Sequence, residues 1–253
     1  MAAMSTSQGN VRVRAFFGAF DLPLEGRTDG QRFAIAFALR GVRYYGQAWD
    51  VAARWPEAGV GILRSLIDLV ILAKWIEGAP RLRLALYTAS DARDAIRVGI
   101  GFNRVRKGRG LAQLAAFAPE EIRRREQRAR LLRRVAVARV GERISAKASD
   151  PLLPSISDRA ELGGDAVELY WTFQLLSQMV HANGRAFVGD RLTRRPDGTH
   201  LRLRPAVPGE MVRGLAVPAL CMLLASTSRQ LGLGLEADLD ALRLALAAWE
   251  PRP

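Results

Sequence analysis

Gly59 to Glu77, GVGILRSLIDLVILAKWIE, is apolar on nearly every side of a helix, and Gly78 and Pro80 follow as stop signals. A helix without a polar face has to be surrounded by other elements. This segment therefore predicts a central helix in a multi-helix fold. Before its last turn it carries only two charges, Arg64 and Asp68, at i and i+4. Opposite charges at that spacing are placed to pair along the helix. Once buried, each ion needs further hydrogen bonds from elsewhere.

A second apolar segment, Gly164 to Gly184, carries a polar seam. Tyr170, Gln174, Ser177 and His181 stand at i, i+4, i+7 and i+11 and so point to one side. Leu169, Trp171, Phe173, Leu175, Leu176, Met179 and Val180 cover most of the remaining circumference. The expectation is a second buried helix packed against the first. Arg64, Asp68, Tyr170, Ser177 and His181 would then share one network. His181 is placed to act as general acid or base, with Ser177 or Tyr170 orienting it and Arg64 holding an anion such as phosphate. Equally, the same groups can satisfy one another and fix helix register. Spacing alone does not require chemistry.

Residues 1–30 read as an N-terminal tail with an irregular, turn-rich lead-in, and 31–253 as a single helical domain. Helical spacing marks Gln31 to Arg54, then Pro80 to about Asn103, which KGRG (107–110) breaks. Pro119, followed by Glu120 and Glu121, opens a fourth helix with acids at its positive end. Two prolines in 149–157 mark a possible internal loop boundary. The expected class is mainly α, a multi-helix bundle with one small β-hairpin at about 190–205, where RLTRR and the alternating HLRLR flank a PDG turn. His200 falls in that hairpin as an exposed strand residue. Gly209 to Leu231 and Ala237 to Trp249 supply the closing helices.

The longest apolar runs, Leu66 to Ala73 and Leu215 to Ala225, are broken by Asp68 and Pro218 and fall short of the ~20 residues of a membrane span, so no membrane partner is expected. With one cysteine, Cys221, and no secretory pattern at the start, the expected setting is cytoplasmic. Two histidines and no carboxylates at ligand spacing predict neither a metal nor a cofactor. Walker, GxSxG and HExxH patterns do not occur, nor does GxGxxG ahead of a helix.

The net charge of +13 is local. From Arg104 to Lys147, twelve arginines and two lysines stand against four glutamates, a balance of +10 that leaves +3 for the rest of the chain. Glu120 with Arg124, Glu121 with Arg125 and Glu126 with Arg130 have the glutamate-first i,i+4 order. Arg123, Arg128, Arg133, Arg134 and Arg139 remain without a local partner, and are the candidate contacts to RNA or to an acidic protein. Against this, 35 of the 38 basic residues are arginine, a bias that a GC-rich genome also produces.

LRSLIDLVILAKWIE (63–77), LPSISDRA (153–160) and the Y-x6-S-x3-H pattern from Tyr170 to His181 resemble a bacterial all-helical family of unknown function, which carries an R-S-L-x-(E/D) helix and a later Y-x6-S-x3-H helix. That resemblance spans about residues 40–190. It implies an all-helical fold and a common site at Arg64, Asp68, Tyr170, Ser177 and His181. More distantly the chain is similar to HEPN-type helical domains of stress and phage-defence ribonucleases, although Gln174, Leu175 and Leu176 stand where their Arg-x4–6-His signature has arginine. This likeness implies RNA or nucleotide binding, with RNA cleavage as a further expectation. The other expectation is a non-enzymatic helical module that docks an acidic partner, with Arg64, Asp68 and His181 purely structural. Oligomeric state is left open.

Overall fold

The computed structural model describes residues 25–112, 118–142, 144, 152–180, 208–235 and 237–239, and the backbone alone of 191–194 and 201–204. Among them the protein is mainly helical: α1 (Asp29–Ala52), α2 (Pro56–Glu77), α3 (Pro80–Gly108), α4 (Pro119–Val140), α5 (Ile156–Leu162), a 3-10 turn (Gly164–Ala166), α6 (Val167–Val180) and α7 (Gly209–Leu231). Backbone pairing joins β1 (Arg191–Arg194) to β2 (Leu201–Arg204) in antiparallel register, Arg191 opposite Arg204. His200, His181 and most of 237–249 lie outside the described residues. The chain divides into two compact units, residues 1–70 with 172–253, and residues 71–171.

In the first unit α1 starts where Thr28 and Gln31 close a reciprocal capping box. Its Ala34, Ile35, Phe37, Ala38, Tyr45, Ala48 and Ala52 form one buried stripe. That stripe faces α7. Gln31 Nε2 donates to the Gln230 carbonyl at 3.4 Å and Thr227 Oγ1 to the Ala34 carbonyl at 3.4 Å, while Arg213 Nε reaches the Trp49 carbonyl at 3.2 Å. As residue numbers rise on α1 the partners fall on α7, so the two run antiparallel. A Cβ on Gly209 would meet the Ala52 carbonyl oxygen, so only glycine lets the helix ends approach this closely.

α7 is the most enclosed helix, burying Leu220, Cys221, Leu223 and even Ser226, Thr227 and Ser228. The polar members have partners: Thr227 Oγ1 donates to the Leu223 carbonyl at 3.0 Å, and Ser228 Oγ accepts from the Leu235 N–H at 3.0 Å. As expected it runs from Gly209 to Leu231, continuing through Pro218, and although its apolar run is broken there, the whole helix is by length and composition able to cross a membrane. Here 72% of that apolar window is buried inside the protein. From α2 the same unit takes Val60, Leu63, Leu66, Ile67, Leu69 and Val70, all buried as its sequence requires.

The second unit takes the end of α2, all of α3 to α5, and the start of α6. α2 begins at Pro56, three residues ahead of the expected Gly59, because proline suits the first helical position. α3 runs past Asn103 to Gly108, with Arg106 and Lys107 complementing its negative end, and the break falls at Gly110, whose φ is 67°. α4 packs on α3 with only Ala129 and Ala136 fully buried on it and Ile122, Leu132, Val135 and Val140 half-buried. Lys74, nearly enclosed, reaches Asp165 at 2.7 Å and so ties the 3-10 turn to α2.

The polar-seam segment departs from expectation. Its first residues form the 3-10 turn and the α-helix starts at Val167. Only Phe173 and Leu176 are buried on α6, while Trp171 is 75% exposed and Leu175 and Val180 are exposed too. Apolar residues are permitted on surfaces, so composition by itself could not place this helix inside.

Gly209→Ala is expected to lower unfolding stability by about 1–3 kcal/mol, since the added methyl collides with backbone. Gly46→Ala, in mid-helix with open space around its Cβ, should raise it by about 0.5–1 kcal/mol. Urea unfolding of both variants checks the pair, and equal effects would contradict the packing described.

Candidate functional site

Two helix segments of the first unit bring part of the polar seam together. α2 presents Gly61 and Arg64 on one side, and α6 presents Phe173, Ser177 and Val180 toward them. Arg64 Nε donates to Ser177 Oγ at 2.8 Å, and its guanidinium stacks over the buried Phe173 ring at 4.9 Å. Both terminal nitrogens of Arg64 stay without an intramolecular hydrogen bond among the described residues. The arrangement holds a guanidinium flat on an aromatic face and leaves its outer edge available for an anion.

Asp68 does not join it. No ion pair within 4.0 Å links Arg64 to Asp68, because Arg64 turns to Ser177 and Phe173 instead of along its own helix. Asp68 Oδ1 is buried and has no hydrogen-bond partner among the described residues. Tyr170 lies in the other unit, half-buried, its ring 6.1 Å from that of Trp171. His181 is outside the described residues, and what the described residues bring together is a positioned arginine and serine.

The second unit contains a polar cluster that sequence reasoning missed. Gly141, with φ 66°, ends α4, and the N–H groups of Gly141 and Glu142 both return to the Ala136 carbonyl. This reversal aims the Glu142 side chain inward. Its carboxylate accepts from Trp75 Nε1 at 3.0 Å and pairs with Arg83, while Arg83 also donates to the Trp75 carbonyl and stands over the Trp75 ring at 5.5 Å. All three side chains are buried. A closed, fully bonded ion pair of this kind serves structure. Its only sequence signal was a glutamate directly after a helix-ending glycine.

The predicted arginine surface is present and freer than expected. Of the three glutamate-first pairs only Glu121 with Arg125 forms. Arg124 and Arg130 therefore join Arg123, Arg128, Arg134 and Arg139 as exposed guanidinium groups with no ion pair among the described residues. Arg133 is the exception among the five candidates, being half-buried and donating to the Ile144 carbonyl at 3.2 Å. No group of three or more histidine, cysteine or acidic side chains among the described residues could hold a metal ion.

Set against protein families, curated proteins and solved structures, the chain matches none of them.

Removing one member of the buried pair strands the other charge. Glu142→Ala should cost about 3–5 kcal/mol in stability, and Arg83→Met combined with Glu142→Leu should recover most of that loss. Chemical denaturation of the single and double variants measures both. A single variant as stable as wild type would show that the pair is not enclosed.

Proposed function

We propose that this protein binds single-stranded RNA through the arginine-covered face of α3 and α4. One observation carries the reading: Arg123, Arg124, Arg128, Arg130, Arg134 and Arg139 are exposed on one helix without carboxylate partners among the described residues. Cations held this close on a rigid helix repel one another. A polyanion relieves the repulsion and releases its counterions on binding.

The neighbouring helix supports RNA over an acidic protein. α4 has no aromatic residue, but α3 exposes Phe102 and places Arg106 over its ring at 5.8 Å. An exposed ring beside a guanidinium is the pairing on which unstacked bases rest. Val98 and Val105 flank Phe102 on the same side of α3, both exposed, with Arg97 and Arg104 close by in sequence.

RNA affinity is expected to fall linearly with salt on a log–log plot. Arg128→Gln and Arg134→Gln should each lower that slope by roughly 0.7, the value of one single-strand phosphate contact. Phe102→Ala should weaken binding by about 1–3 kcal/mol with the salt slope unchanged. Fluorescence anisotropy over a salt series reads all three. Binding to polyglutamate with none to RNA would replace this reading by the acidic-partner one. Inspecting the same RNA for cleavage by wild type and His181→Ala separates a binding protein from a ribonuclease of the HEPN kind.

A further inference from the structure

In the first unit, α2 and α6 gather hydrogen-bond donors that have nothing to bind. Arg64 Nε is taken by Ser177 Oγ at 2.8 Å, which leaves the edge formed by the two terminal nitrogens. Those nitrogens have no partner among the described residues and, unlike Asp68 Oδ1, they are not closed off from solvent. Because Ser177 Oγ accepts from Arg64, its own hydroxyl proton is left to donate, and no acceptor for it stands among the described residues. Asp68, one turn along α2, forms no ion pair with Arg64. The surroundings of this donor group differ on its two sides. Phe173, 4% exposed, lies under the guanidinium and closes one side. Three residues away from Arg64 and Ser177 respectively, Gly61 and Val180 meet on the other, where a Cβ on Gly61 would come 3.9 Å from a Val180 methyl. Gly61 offers bare backbone and Val180 is 43% exposed.

We infer that this spot binds the carboxylate of a small aliphatic acid, with its head on Arg64 and Ser177 and its stem along Gly61 and Val180. Shape selects the head. The terminal N–H groups of a guanidinium point the same way at the spacing of two carboxylate oxygens, so the free edge of Arg64 is a bidentate fork. The Ser177 hydroxyl then donates a third hydrogen bond to one of those oxygens. Charge selects it as well: one cation answers one negative charge, whereas a phosphate monoester carries close to two. The Phe173 ring and the Ser177 oxygen already hold the guanidinium in place, so little ordering remains to be done when a ligand arrives. The exposed Val180 methyls give a short hydrocarbon stem apolar surface to cover.

The experiment measures the melting temperature of the full chain with acetate, hexanoate or inorganic phosphate, each against sodium chloride of the same ionic strength, and the Kd of hexanoate by calorimetry. Hexanoate is expected to raise the melting temperature more than acetate, and phosphate no more than sodium chloride. Arg64→Gln should weaken hexanoate by at least about tenfold and Ser177→Ala by roughly fivefold. Arg64→Lys keeps the charge but loses the fork, and should recover little of the loss. Asp68→Asn removes a negative charge one turn away and should tighten binding. Val180→Ser should weaken hexanoate and leave acetate unchanged. Where a variant melts lower by itself, the shift from its own baseline and the calorimetric Kd are compared. No binding of either carboxylate, or binding that survives in Arg64→Gln, overturns the inference. A shift with phosphate as large as that with hexanoate overturns the carboxylate, and equal shifts with acetate and hexanoate overturn the placing of the stem. Arg128→Gln, in the second unit, should leave hexanoate binding unchanged, so the result stands apart from the RNA reading.

Discussion

The Glu142 carboxylate, closed off from solvent between the Arg83 guanidinium and the Trp75 indole, fixes where the arginine helix ends. Burial along α4 is limited: only Ala129 and Ala136 are fully enclosed, with Ile122, Leu132, Val135 and Val140 half-buried. Half-buried side chains return only part of the roughly 25 cal/mol per Å² available to apolar surface, against the entropy of ordering six helical turns. The Gly141 reversal and the ion pair behind it add an anchor at the last turn, and Arg133 adds a second tether through the Ile144 carbonyl. Every proposal about the basic face rests on that anchor. Without it the guanidinium groups would have no fixed spacing to offer a strand of phosphates.

The two units solve different problems. In the first, α1 and α7 run antiparallel with apolar stripes facing, and the Thr227 hydroxyl deep in α7 is satisfied by carbonyls of its own and the facing helix. Close packing there is what makes small residues such as Gly209 hard to replace. The second unit buries less and exposes more charge. Surface ion pairs contribute at most about 1 kcal/mol each. The loss of two predicted pairs on α4 therefore costs the fold almost nothing, and leaves two more guanidinium groups open to solvent.

Local chemistry made much of the helical order legible. Pro119 followed by two glutamates marks the start of α4, and Gly78 with Pro80 marks the end of α2. The Thr28 and Gln31 pair was equally available as a start signal for α1, although spacing alone placed that start at Gln31. What spacing could not give was direction in three dimensions. Arg64 and Asp68 stand at pairing distance along a helix, yet Phe173 and Ser177 offer the guanidinium a better place. Trp171 fits an apolar pattern and still faces water. Glu142 and Arg83 lie 59 residues apart, and no periodicity within either segment connects them. Residues placed by their own helix could be read, and those placed by another element could not.

The single thiol has a use that follows from its position. Cys221 sits in the interior of α7, 2% exposed, and there is no other sulfhydryl in the chain. A thiol reagent in solution reaches it only when the helices of the first unit part, so its labelling rate under native conditions reports how often that unit opens. The arginine surface belongs to the other unit and contributes no sulfhydryl signal. One natural side chain thus turns modification kinetics into a clock for half of the molecule, with no engineered label required.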